Sequence, residues 1–282
     1  MLHEIAPHQL NTDYKEVKAK NYDVVMCFKD NKVLLIIKEG ELRLPVLADY
    51  PKDAINSEKE LEYQFAIDDQ GIFLYIGDKV DQLMQVNFEW HDLNVFRGLS
   101  PQYEAFAGIT ASQLFRWKQD NQYCGRCQTK MVNSKTERAL CCPNCNKIVY
   151  PKISPAVIVA ITNGNRLLMT KYAYGSYKKY ALVAGYVEIG ESFEEAVKRE
   201  VMEEVGLKVK NIQYFKSSPW AFSDTIMVGF FAELDGDDTV TLQESELREA
   251  TWFERDEIPV NPSTISISYE LIECVRNNRR NM

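Results

Sequence analysis

The chain has 282 residues, 45% of them hydrophobic, and a formal net charge of −8. That is ample apolar material for a core in one large domain or two to three small ones. The negative balance excludes non-specific nucleic-acid binding by the whole surface, though not by a local patch. No apolar run reaches membrane length, with Ala156 to Ile161 among the longest, and the start MLHEIAPHQL lacks the basic region and apolar core of a signal peptide. The expected location is cytoplasmic.

From Asn21 to Pro45 the sequence predicts a β-meander. Val24 to Phe28 and Val33 to Ile37 are apolar, β-branched runs on either side of the turn-forming Lys29-Asp30-Asn31-Lys32. Phe65 to Ile67 and Ile72 to Ile76 repeat the arrangement around Asp68-Asp69-Gln70-Gly71. A β-rich N-terminal domain over residues 1–118 follows. His3, His8 and His91 are scattered and read as structural or surface residues. Ser100-Pro101 predicts a helix start, with Ser capping and Pro at the first helical position. The segment Ala105 to Trp117 then supplies Leu114, Phe115 and Trp117 for packing and forms a helical bridge out of the domain.

Seven cysteines with no export signal do not read as a disulfide framework, and five of them fall between 124 and 145. Cys124-Gly-Arg-Cys127, fourteen residues, then Cys142-Pro-Asn-Cys145 is the spacing of a four-thiolate zinc ribbon over residues 119–150. Each C-x-x-C turns the chain so that two sulfurs converge, and the metal replaces a core too small to stand alone. Four filled positions leave none for water, so this Zn²⁺ is expected to be structural, one per chain. A thiol-redox role is the weaker reading, because no thioredoxin-like βαβ pattern surrounds either pair. Cys142 is preferred over its neighbour Cys141 because it restores the second C-x-x-C; Cys141 stays as the alternative. Cys27 and Cys274 read as buried free thiols. The ribbon is locally basic, with Arg126, Lys130, Lys135, Arg138, Lys147 and Lys152 against Glu137 alone. A solvated ribbon surface is the simpler reading and a phosphate or RNA contact the other.

A third domain is expected over residues 151–282. Ala156 to Ile161 and Arg166 to Lys171 read as strands joined by the turn Thr162-Asn163-Gly164-Asn165. Tyr180 to Val183 leads into Gly185–Leu207, GYVEIGESFEEAVKREVMEEVGL. Here a loop enters a helix. Ser192 and Glu195 form an S-x-x-E capping box, acidic residues crowd the first turn, and Phe193, Val197, Val201 and Val205 recur as a buried stripe that Gly206 ends. Glu200, Glu203 and Glu204 lie on one helical face, and Glu204 falls inside the apolar stripe. Like charges at these spacings repel, and half-burying them costs desolvation as well. A cation reverses the sign of both effects, and oxygen-only ligands suit Mg²⁺ or Mn²⁺; the plain alternative is a solvated charged face. Ile226 to Ala232 reads as another strand, Leu234 to Asp238 as an acidic turn, Ile267, Leu271 and Val275 as a closing amphipathic helix, and Asn277 to Met282 as a polar tail.

Gly185, Glu191 and Arg199-Glu200-Val201-Met202-Glu203-Glu204-Val205-Gly206-Leu207 together resemble the complete Nudix box, nine specified positions across 23 residues. With the preceding zinc ribbon, the β-rich N-terminal domain and Tyr150-Pro151-Lys152-Ile153-Ser154-Pro155, the chain resembles the NADH pyrophosphatase branch of the Nudix superfamily. The resemblance implies an α+β chain whose catalytic domain is an α/β/α sandwich with a mixed sheet. It also implies a homodimer that hydrolyses the pyrophosphate of NADH or NAD to AMP and nicotinamide mononucleotide, bacterial members also removing NAD caps from RNA. That branch carries Ser-Gln-Pro-Trp-Pro-Phe-Pro-x-Ser after the box, where this chain has Ser217-Ser218-Pro219-Trp220-Ala221-Phe222-Ser223-Asp224-Thr225. Two prolines have become Ala221 and Ser223. A looser loop is expected, with weaker selectivity for a dinucleotide.

Carried over residue by residue, the resemblance makes the stretch from Ser218 through Pro219, Trp220, Ala221, Phe222, Ser223 and Asp224 to Thr225 a substrate-binding segment. It places Tyr150 and Tyr186 at the nicotinamide end, and Glu137, Ser268 and Arg97 at further substrate contacts. Catalytic Mg²⁺ or Mn²⁺ would be held by Glu200, Glu204, Glu246 and the Ala184 carbonyl. Glu203 is the candidate for deprotonating water, and Arg199 orients the carboxylates. Two other functions stay open: a broader Nudix hydrolase acting on ADP-ribose or another nucleoside diphosphate derivative, and a non-catalytic nucleotide- or RNA-binding regulator. Three crowded carboxylates, which a binding module has no need of, speak against the regulator.

Overall fold

In this computed structural model all residues are described except 52, 56–57, 176–178, 261–262 and 280–282, so the end of the expected polar tail lies outside the described residues. The chain forms two compact units, Leu2–Lys152 and Ile153–Met282 together with Met1. Among the described residues no helix is long and apolar enough to cross a membrane.

The first unit opens with β1 (Leu10–Asn11), β2 (Val24–Met26), β3 (Phe28–Lys29), β4 (Lys32–Lys38), β5 (Glu41–Arg43), β6 (Leu61–Ile67), β7 (Gln70–Tyr75) and β8 (Phe88–Asp92). They make two four-stranded sheets, one ordered β1-β6-β7-β2 and the other β3-β4-β5 with β8 on β4. The apolar run Val24 to Phe28, expected as one strand, divides at Cys27. β2 pairs in parallel with β7, and β3 turns back antiparallel on β4. Cys27 is buried, and that burial pushes its thiol up to about 12. Cys274, expected to match it, is only partly buried. The bridge helix α1 (Gln102–Asp120) contains the expected segment Ala105 to Trp117 and extends beyond it at both ends, and its cap differs. Pro101 is itself the N-cap, in extended backbone, and Ser100 makes no capping bond. The Pro101 carbonyl accepts from the Glu104 amide at 3.1 Å, so the first turn is closed without a side-chain cap.

The ribbon follows as β9 (Val132–Asn133), β10 (Leu140–Cys141) and β11 (Ile148–Val149), ordered β11-β10-β9. Its two knuckles repeat one geometry. The Gln128 amide donates to the Cys124 carbonyl at 2.8 Å and the Asn146 amide to the Cys142 carbonyl at 3.0 Å; Gln128 and Asn146 both take positive φ, 61° and 57°. Sγ of Cys124, Cys127, Cys142 and Cys145 all lie within 4.8 Å of one another, and the pairs 124–145 and 127–142 are 3.5 and 3.4 Å apart. A tetrahedral site with Zn–S bonds of about 2.3 Å has edges of roughly 3.8 Å, so the four thiols fit zinc. Cys141 is not among them. Around the ribbon, Lys118 bonds both Glu62 and Asn133, the Tyr14 hydroxyl donates to the Ser134 carbonyl at 2.6 Å, and Arg138 reaches the Gln64 and Thr12 carbonyls. Arg138 is thereby drawn inward and leaves the basic surface expected of it.

The second unit consists of β12 (Ser154–Asn163), β13 (Arg166–Tyr172), β14 (Val183–Tyr186), α2 (Phe193–Val205), β15 (Val209–Trp220), β16 (Thr225–Leu234), β17 (Leu247–Glu254) and α3 (Ile267–Arg276). Its sheet runs β15-β16-β12-β13-β17 with β14 also on β12; β12 and β16 are parallel and the other pairs antiparallel. Successive β12 side chains face opposite ways, as the strand period of two requires. Val157, Val159 and Ile161 pack with Val197, Val201 and Val205 of α2, while Ile158 and Ala160 pack with Ile267, Leu271 and Val275 of α3. The unbroken apolar run is thus explained by burial on both faces, which gives the α/β/α sandwich.

The expected loose loop Ser217 to Thr225 is a hairpin. Ser217 pairs with Val228 and Trp220 with Thr225, leaving a turn closed by the Ser223 amide on the Trp220 carbonyl at 3.2 Å. β15 escapes a reading by alternation because it is an edge strand with most side chains exposed.

Purified protein is expected to keep about one zinc per chain after dialysis. Cys142→Ser should lose that metal and lower Tm, and Cys141→Ser should change neither, as read by metal analysis and thermal unfolding.

Candidate active site

The site is built on α2. Ser192 accepts from the Glu195 amide, and Glu195 in turn accepts from the Ser192 amide at 2.8 Å, completing the capping box. At the other end Gly206 takes φ +70°, a left-handed stop that suits glycine. Val197, Val201 and Val205 are fully buried, but Phe193, expected as the first residue of their stripe, is 39% exposed, with its ring 6.4 Å from that of Phe230. It sits on the first turn, before the helix has closed onto the sheet.

The same helix buries two carboxylates. Glu204 is 3% exposed and Glu200 is buried beside it, while Glu203 faces solvent. Burial, followed by repulsion from Glu200 and Glu246, pushes the Glu204 carboxyl up to about 8; one bond from the Ala184 backbone partly offsets this. Glu200 is raised as well, chiefly by burial and against the attraction of Arg199. Gly185 permits the close approach of Glu200, because a Cβ there would lie 2.0 Å from the Glu200 carboxyl carbon. The Thr241 amide donates to the Val205 carbonyl and the Gln243 amide to the Glu204 carbonyl, both at 3.0 Å. These bonds satisfy exposed carbonyls of the last helical turn and bring the segment carrying Glu246 to the acidic face.

Arg199 organises this charge. Its Nε and Nη2 take the two oxygens of Glu191 at 2.6 and 2.8 Å, its Nη1 takes Glu200 at 2.7 Å and Glu203 at 3.0 Å, and Nη2 also donates to the Tyr186 carbonyl at 2.9 Å. The guanidinium holds the Glu191 carboxyl down at about 2. Glu191 was legible as a box position, but its pairing eight residues away was not. The glutamates remain more open than the thiols. Among the described residues the four cysteines are the sole group of three or more His, Cys, Asp or Glu whose ligand atoms all converge within 4.8 Å.

Of the other expected residues, Tyr186 is exposed at the end of β14. The Trp220 and Phe222 rings lie 5.0 Å apart at the hairpin turn, tilted by 48°, with Ala221 buried between them in sequence, and Ser223 and Thr225 share a hydroxyl contact of 2.8 Å. Pro219 pairs with Ile226 and Ser218 is buried, while Asp224 takes φ 56° and its carbonyl accepts from the Ser154 amide. Ser268 is partly buried in the first turn of α3. Three residues belong to the first unit: the Tyr150 hydroxyl donates to Glu137 at 3.2 Å, and Arg97 is exposed and bonds Asn94.

The raised Glu204 carboxyl sets a pH dependence. Between its ordinary value of 4.5 and about 8 the folded state holds a proton that the unfolded state has lost. Stability therefore falls as pH rises through that window, by on the order of a few kcal/mol. Glu204→Gln, compared with the parent in buffer free of added Mg²⁺ or Mn²⁺, should be the more stable near pH 8, with the difference shrinking toward pH 5. Urea titrations at both pH values measure it; equal curves at pH 8 would show that Glu204 carries no burial penalty.

Comparison with known proteins places this geometry. The NUDIX domain profile matches residues 152–273, and the NADH pyrophosphatase zinc ribbon profile matches residues 119–150. A Chromobacterium violaceum protein described as NAD-capped RNA hydrolase NudC is 37% identical over 203 residues, covering 72% of this chain and 76% of the relative. Proteins of the same description from Shigella flexneri and Escherichia coli are 42% and 41% identical over 161 residues, covering 57% of this chain. The chain spans 62% of the length of those two. From the box glutamates on their capped helix, the four-thiol ribbon ahead of them and these matches, the chain belongs to the Nudix hydrolase superfamily, in the branch that carries the NADH pyrophosphatase zinc ribbon.

Proposed function

We propose that this chain hydrolyses the pyrophosphate of NADH or NAD to AMP and nicotinamide mononucleotide, and removes the NAD cap from RNA by the same cleavage. The observation that carries the reading is the burial of Glu204 against Glu200 and Glu246, an arrangement with an unfavourable charge balance until a cation joins it. Glu200, Glu204, Glu246 and the Ala184 carbonyl would hold Mg²⁺ or Mn²⁺. When bound, such ions neutralise charge on the phosphoryl oxygens and make a bound water more acidic.

The protein's own residues supply the rest. Arg199 fixes the Glu200 and Glu203 carboxylates from the side, anchored by Glu191. Glu203, the solvent-facing member of the three, takes the proton from the attacking water. Tyr186 and the Trp220–Phe222 pair offer aromatic surface to the bases, and Tyr150, whose hydroxyl donates to Glu137, is a substrate contact by resemblance to the family alone. Ser268 and Arg97 complete the substrate contacts by resemblance to the family. The enzyme works as a homodimer, also by that resemblance, in the cytoplasmic location expected from the sequence.

Replacement of two family prolines favours a second reading, a broader hydrolase for ADP-ribose. Ala221 occupies the second position of the turn from Trp220 to Ser223, where proline is favoured. Part of the stacking energy then goes into ordering the turn on binding.

Activity is expected to require added Mg²⁺ or Mn²⁺ even in zinc-loaded protein, and Glu204→Gln should lower kcat by about 10²- to 10³-fold, roughly 3–4 kcal/mol. Steady-state assays on NADH, NAD, ADP-ribose and NAD-capped RNA should rank NADH first among the small substrates. Trp220→Ala should reduce kcat/KM for NADH more than for ADP-ribose, and Ala221→Pro should lower KM for NADH. More efficient cleavage of ADP-ribose by the parent protein would replace the NADH reading with the broader one.

A further inference from the structure

The ribbon has two unlike faces. Asn133 bonds Lys118 and Glu62 while staying exposed, and its cross-strand partner Leu140 is buried, so this face packs in part within the first unit. On the other face the register sets Val132, Cys141 and Ile148 side by side across the three strands. Val132 and Ile148 are each about half exposed, at 49% and 48%. Lys130 shares this face, because Met131 between it and Val132 is buried, and Tyr123, 63% exposed, is bridged to Lys130. Such a surface combines an aromatic ring, β-branched side chains and a cation, and among the described residues of the first unit nothing covers it.

The surrounding charge is of one sign. Arg126, Lys130, Lys135 and Lys152 are exposed, and the Lys147 amine lies beside the first knuckle, 3.6 Å from where a Gly125 Cβ would be. Among the described residues none of the five forms an ion pair, and Glu137 is the sole acid from 124 to 152. In a chain of net charge −8 this is a concentrated basic patch. An exposed ring next to unpaired cations suits a flexible polyanion whose bases can stack, which is single-stranded nucleic acid. An acidic protein segment would meet the charge but has no use for the ring.

We infer that this ribbon face binds the single-stranded RNA body of a capped transcript, so that the zinc ribbon captures the substrate while the Nudix unit cuts it. The inference rests on the NAD-cap reading above, and it assigns the binding of the RNA body to Tyr123, Arg126, Lys130 and Lys135. Zinc serves it indirectly, by holding the knuckles that present these side chains.

The test uses full-length, zinc-loaded protein carrying Arg126→Glu with Lys130→Glu, and separately Tyr123→Ala, with Lys130→Arg as the conservative control. Single-stranded sites commonly span roughly 4–16 nucleotides, so the substrates are NADH, a capped RNA shorter than about four nucleotides and one longer than about sixteen. For the long RNA, kcat/KM should fall about 5- to 30-fold through KM, while NADH and the short RNA stay within about twofold. Anisotropy with an uncapped single-stranded RNA should show weaker binding and a flatter salt dependence, by about 0.7 in log–log slope for each phosphate that the variant no longer neutralises. Lys130→Arg should retain parent behaviour. Unchanged kinetics and binding for the long RNA would overturn the assignment. So would an equal fall for all three substrates, or a loss of retention on a protein partner with RNA binding intact. If the parent cleaves neither NADH nor capped RNA, the functional reading fails, and the anisotropy measurement still decides whether this face binds RNA.

Discussion

A carboxylate buried against other carboxylates governs the catalytic unit. Glu204 lies within the apolar side of α2, raised in pKa by lost hydration and by Glu200 and Glu246, and among the described residues no cationic side chain reaches it directly. Removing charge from water without a partner costs several kcal/mol, so a sequence that only had to fold would place an apolar residue there. The surrounding features reduce that cost without abolishing it. Gly185 gives way to Glu200, the Ala184 backbone bonds Glu204, and Arg199 takes up Glu200 and Glu203 from the edge while being fixed itself by Glu191. What remains uncompensated is negative charge that a divalent cation can balance.

The sheet supplies the rigidity this requires. Because β12 is buried on both faces, α2 and α3 clamp it from opposite sides, and β14, paired to the first half of β12, carries Ala184 and Gly185 directly to the acidic face. The segment that brings Glu246 is bonded to the last carbonyls of α2, so the fourth carboxylate is registered to the helix end and not left to a free loop. The ribbon solves a different problem by different means. Its strands are two residues long and bury little, and four thiols converging on one point replace the missing core.

Features that depend on near neighbours were legible in the chain before it folded. The capping box, the stop at Gly206, the valine stripe and Glu204 inside it follow from the 3.6-residue period, and the two knuckles follow from C-x-x-C spacing. Features that depend on distant partners arise only on folding. The Val24 to Phe28 run is split between two sheets at Cys27, and Arg138 is turned from the basic surface toward the Gln64 and Thr12 carbonyls. The aromatic segment becomes a hairpin because β16 lies beside it, although the exposed edge strand β15 carries too little alternation to announce itself. The pairing of Arg199 with Glu191 belongs to the same class, since it needs the loop to fold back on the helix. Periodicity records which face of an element is buried; it does not record which element, or which opposite charge, will be there to meet it.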